Sequence, residues 1–207
     1  MPKPKFELTH SNAFFPCTKT IVESEAVEAR LQELSPDLIV ELFHEVMRGG
    51  LSARNETTTA SAVTAAGLQQ WLESVKTLRG QLSQNQWRIH NERNCPFISS
   101  VDGRISIVVM TGDSETGRQG LKDPINQAEK GRVIQGFVNS NSQLELFNQN
   151  ALNFINSKQN ETQVWIFLYH YDKKLKEVRY ELSYPTGFDK KKNLQVGGTP
   201  DSRQHSK

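Results

Sequence analysis

Three carboxylates, Asp113, Glu115 and Glu181, are the residues of this chain whose type and placement point most directly to chemistry. Asp113 and Glu115 belong to Thr111-Gly112-Asp113-Ser114-Glu115-Thr116-Gly117-Arg118, a run of glycines, hydroxyls and acids that follows an apolar, strand-like segment. Carboxylate oxygens hold hard divalent cations, and a cation so held activates water and neutralises a developing oxyanion. With a divalent metal as cofactor, the three acids would be the catalytic set of a small metal-dependent phosphodiesterase or nuclease. Asp102 would be a further ligand, with Lys174, Lys176 or Arg179 close by. The pattern departs from the restriction-nuclease signature, because no Glu-x-Lys follows Asp113 on a next strand. A surface turn made of ordinary turn formers explains 111–118 more simply, and neither the phosphate-loop nor the dinucleotide glycine spacing is present.

Other chemistries have less to stand on. His90, Cys95 and His170 would suit a mixed zinc site only by converging with a fourth ligand, and there is no CxxC or HxxxH pair. No GxSxG elbow marks a nucleophile. Nucleic-acid contact has candidate residues in Arg88 and Arg104 around one turn, Lys174 in another, and the Lys190, Lys191 and Lys192 run. Trp87, Phe97, Tyr169, Tyr171 and Tyr180 interleave with them, and rings on an open sheet face flanked by basic residues can hold a single strand. The plainer account is that lysines gather in exposed turns and that the rings pack the core.

Hydrophobic period assigns the elements that would position these groups. Glu23 to Leu34 reads as a helix, and Ser35-Pro36-Asp37 reads as the start of a second, Pro36 to Arg48, that leaves through Gly49-Gly50. Residues 51–64, rich in Ser, Thr and Ala, read as a loop, and a third helix runs from Ala65 to Arg79 with Leu68, Trp71, Leu72, Val75 and Leu78 on one face and Gly80 at its end. From Gln86 the period alternates. Strands are expected at 87–90, 96–100 and 104–110, the last two joined by an Asp102-Gly103 hairpin turn of type I′. Helices at 126–139 and 143–155 follow, then strands at 162–171 and 177–184, after which Pro185 closes the regular structure. The 104–110 and 162–171 strands are apolar on both faces and belong in the middle of a sheet.

Composition bounds the rest. A chain of 207 residues with 36% hydrophobic residues fits one core plus polar extensions. No apolar run approaches the length of a bilayer span, residues 1–10 lack the apolar segment of a secretory signal, and two cysteines do not make a disulfide framework. A cytoplasmic location is expected. The net charge of +2 is carried by the end of the chain: from Asp189 to Lys207 five Lys/Arg face two Asp, leaving 20 basic and 21 acidic residues elsewhere. The body therefore has no global basic field.

The expected architecture is α+β: N-terminal helices, then a mixed or antiparallel sheet in the order β-β-β-α-α-β-β with helices packed on it. Residues 1–22 form an arm, 23–185 the domain and 186–207 a flexible basic tail. The expected function is a non-catalytic interaction or regulatory domain binding a protein or nucleic-acid partner and no membrane, with the metal-dependent phosphodiesterase as the alternative.

Overall fold

The computed structural model describes residues 23–92, 94–118, 141, 162–188 and 194–196, with 186–188 and 194–196 as backbone alone. Three helices open the described chain: α1 (Ser24–Leu34), α2 (Val40–Asn55) and α3 (Ala65–Ser83). The first matches its expected span. The second does not begin at Pro36, because Ser35, Pro36 and Asp37 are drawn into a turn: the Asp37 N–H donates to Ser35 Oγ at 3.3 Å, and Asp37 Oδ2 accepts the Trp87 indole N–H at 2.7 Å. The first amide of α2 is capped from α1 instead, with Val40 N–H donating to Glu28 Oε2 at 2.9 Å.

Nor does α2 end at Gly49-Gly50. It runs on to Asn55, and the glycines serve its packing against α3. A Cβ at position 50 would stand 2.3 Å from Ser74 Oγ and 3.1 Å from the Gln70 carbonyl, so only glycine allows this approach. A glycine inside a helix costs about 1 kcal/mol, here offset by the close contact it permits. Gly80 does not stop α3, and the loop expected at 51–64 is helical up to Asn55.

Five strands form one sheet in the order β1 (Arg88–Glu92), β2 (Cys95–Ser99), β3 (Ile105–Thr111), β4 (Gln163–Asp172) and β5 (Glu177–Ser183). Neighbours are antiparallel except β3 and β4, which run parallel with Ile105 beside Gln163 and Thr111 beside Tyr169. The hairpin between β2 and β3 forms where the Asp-Gly pair stands, yet only Gly103 takes positive φ (+73°). Asp102 acts through its carboxylate, which accepts from Ser100 Oγ at 2.6 Å and from the Arg104 N–H at 3.0 Å. The type I′ expectation fails because this side-chain bracing holds another turn. A parallel pair needs a crossover; residues 112–162 supply it, and the helices expected at 126–139 and 143–155 lie outside the described residues.

Alternation sorts β3 and β4 between two apolar clusters. Ile107, Val109, Phe167 and Tyr169 face the helices, with the Phe43 and Phe167 rings 4.9 Å apart, while Val108, Ile166 and Leu168 pack with Phe97 and Val164 on the opposite face. These are the doubly covered central strands the sequence implies. Regular structure does not stop at Pro185: β6 (Pro185–Phe188) pairs antiparallel with β7 (Leu194–Val196). Buried Asn141 ties the start of β4 to β6, donating from Nδ2 to the Val164 and Pro185 carbonyls and accepting the Val164 N–H. The class is α+β, and among the described residues no helix is long and apolar enough to cross a membrane.

Candidate functional site

The two flanks of the β3–β4 pair meet their neighbours in different ways, and the expected site residues divide between them. On the β5 flank, the 112–118 segment is bound down. Gly117 takes φ +66°, its N–H donates to Glu181 Oε2 at 2.9 Å, and a Cβ there would lie 2.9 Å from the Tyr180 amide nitrogen. Arg179 donates to the carbonyls of Ser114 and Thr116 at 3.1 and 3.3 Å, and pairs with Glu177 at 2.7 Å and Asp172 at 3.5 Å. The backbone amides of Leu175 and Lys174, with Arg179, hold the Asp172 carboxyl below its ordinary range.

The three candidate acids are therefore engaged in building this strap. Glu181 accepts from Gly117 with one oxygen and from the Ser183 hydroxyl with the other. Asp113 Oδ1 accepts the Glu115 N–H at 3.2 Å, closing a local turn, and Glu115 Oε1 accepts from Ser114 Oγ at 3.4 Å. Among the described residues no three His, Cys, Asp or Glu side chains are grouped to hold a metal ion. His90 stacks on Phe97 with 5.4 Å between ring centres, and His170 Nδ1 lies 3.2 Å from the Gly112 carbonyl oxygen.

The basic candidates are spread over the sheet. Arg88 donates to the Val101 carbonyl at 2.9 Å and Arg104 pairs with Asp102 at 2.5 Å, both at the β2–β3 turn. Lys174 sits in the β4–β5 turn, whose amides brace Asp172. Because β3 and β4 run parallel, these turns lie at opposite ends of the sheet, roughly 30 Å apart at 3.3 Å per residue. Lys190, Lys191 and Lys192 lie outside the described residues. Of the expected stacking rings, Trp87, Phe97 and Tyr169 are buried in the core.

The β2 flank is open. Ser100 N–H donates to the Ile105 carbonyl at 2.8 Å, which makes 100/105 a hydrogen-bonded pair; the alternation of an antiparallel ladder then makes 98/107 and 96/109 the next two. Position 96 is proline, which has no N–H to give. The β2–β3 pairing stops at Phe97 beside Val108, and the Val109 carbonyl instead accepts the Trp71 indole N–H at 3.0 Å.

Beyond that point lies a cleft of about 330 Å³, lined by Leu68 and Trp71 of α3, Cys95 and Pro96 of β2, and Met110 and Thr111 of β3. Leu68 and Leu72, assigned by spacing to the buried face of α3, are 53% and 51% exposed. The buried line along the first half of that helix is Gln70 and Ser74, turned toward Gly50. Sequence reasoning missed this cleft, although Pro96 inside a strand is its signal. Comparison with family models, with characterised proteins and with solved structures found no match to this chain.

Proposed function

We propose that the chain is a non-catalytic binding domain whose partner is a protein, and that the cleft between α3 and the parted β2 and β3 receives an apolar side chain of that partner. The observation that carries this reading is the exposure of Leu68 and Leu72 beside an apolar cleft, where their helical spacing alone would bury them. Contiguous apolar surface next to a recess is what a protein-binding face requires. The cleft is large enough to admit an apolar side chain, and Trp71, held by its bond to Val109, supplies a fixed aromatic wall. Two observations favour a protein over a nucleic acid: the described cationic candidates stand at opposite ends of the sheet, and three of the five candidate rings are core.

The reading is tested by recovering the full chain and its Leu68→Asp variant from cells and comparing what co-purifies. A carboxylate at the cleft mouth should abolish a specific partner while leaving the fold intact by circular dichroism. An identical set of co-purifying proteins, or a low-salt shift of single- or double-stranded nucleic acid by both forms, overturns it.

A further inference from the structure

The last turn of α2 holds an arginine that no acid among the described residues answers. Arg54 is half-buried, its guanidinium carbon 3.8 Å from the centre of the Tyr171 ring and its Nη1 donating to Gln70 Oε1 at 3.1 Å. The ion pairs among the described residues leave it without a carboxylate. Arginine only donates, so this bond fixes which end of the Gln70 amide faces it. The other end, Nε2, is then buried with no hydrogen-bond partner among the described residues. Tyr169 stands two residues before Tyr171 on the same face of β4, and its hydroxyl is also buried and unpartnered among the described residues.

Burial pushes the Tyr169 phenol up and the charge of Arg54 pulls it down, so the guanidinium acts on that ring as well as on Tyr171. Roughly nine in ten buried polar groups in folded proteins find a partner, which makes two neighbouring orphans beside one unanswered cation a feature to explain. All three groups can donate, and two of them only donate. The shared need is an acceptor.

We propose that Arg54, Gln70 and Tyr169 form a recognition site for a carboxylate. One positive charge with two neutral donors matches a monoanion, whereas a phosphate dianion would leave charge unbalanced. The planar guanidinium fork fits the two oxygens of a carboxylate. Stacking on Tyr171 and the bond to Gln70 already hold the arginine, so little side-chain freedom is lost on binding. The carboxylate belongs either to an acidic residue of the partner or to a free small acid. The site shares α3 with the cleft through Gln70, but none of Arg54, Gln70 and Tyr169 lines that cleft.

The test uses the ¹⁵N-labelled full chain, following the Gln70 side-chain amide while sodium acetate or inorganic phosphate replaces chloride at constant ionic strength. Acetate should move this resonance saturably, and more tightly than phosphate does. Arg54→Met should weaken acetate binding by about tenfold, the scale of one charge-assisted bidentate contact. Tyr169→Phe should weaken it too, with no fall in Tm, because the hydroxyl it removes has no partner among the described residues. N-acetyl-aspartyl-leucinamide separates the sources: binding about tenfold tighter than acetate assigns the site to a polypeptide, equal binding to a free acid. No saturable shift, a preference for phosphate, or acetate affinity unchanged in both variants overturns the proposal. Loss of acetate binding in Leu68→Asp would merge the two sites and overturn their independence.

Discussion

On its β5 side the central strand pair is closed by cross-ties, and on its β2 side it is left open. The strap of residues 112–118 gives its backbone to Arg179 and Glu181 and packs Gly117 where no side chain fits. At the β2–β3 junction a proline withholds one donor, a tryptophan from α3 supplies it, and beyond them lies a cleft. The difference teaches that residues which look chemical in a sequence, here glycines, hydroxyls and acids after a strand, can be consumed in bracing. A position that looks like an imperfection in a strand can be what creates a site.

The largest effect expected from breaking this contrast lies on the closed flank. Gly117→Ala must place a Cβ at positive φ within 2.9 Å of the Tyr180 amide nitrogen, and should cost about 3 kcal/mol by chemical denaturation. A loss under about 1 kcal/mol would mean that the strap is not tight. On the open flank, Trp71→Phe removes the proton donor of the Val109 carbonyl and should cost about 2 kcal/mol. Pro96→Ala restores an amide opposite that carbonyl, so the cost of Trp71→Phe should shrink by roughly 1 kcal/mol in the Pro96→Ala background. Strict additivity in that cycle would refute the proline–tryptophan link.

The smallest effect concerns the pinned end of the same β2–β3 hairpin. The Ser100 hydroxyl, followed by the Arg104 amide and guanidinium, lowers the Asp102 carboxyl to about 2. A depressed carboxyl stabilises the fold above its unfolded value near 4, and that contribution is lost as pH falls through about 2. Asp102 is half-exposed and solvent screens it, so Asp102→Asn should cost at most about 1 kcal/mol at pH 7. The gap from the wild type should close between pH 4 and 2; a gap that persists at pH 2 would assign the cost to lost turn geometry instead.

Much of this fold is legible in the sequence where burial is one-dimensional. Val108 and Phe167 lie in runs apolar on both faces, and such runs can only be central strands; the α1 stripe likewise declares its helix. What escapes is set by partners distant in the chain. The start of α2 is decided by Glu28, twelve residues before Val40, and Gly50 looks like a helix exit until Ser74 is packed on it. The candidate sites escape for the same reason. Arg54 falls in what composition marks as a loop, and its meaning depends on Gln70 and on Tyr171, more than a hundred residues away. The cleft depends on one missing amide, whose consequence appears only once β2 and β3 are in register.

The opening beside Pro96 is proposed to accept a partner's apolar side chain. Titration of the full chain with N-acetyl-leucinamide, followed at the methyl groups of Leu68, Val108, Val109 and Met110, tests it most directly. Saturable shifts confined to those methyls and lost in Leu68→Asp are expected; shifts that fail to saturate, or that spread evenly over the core methyls, would show that the opening takes no such side chain.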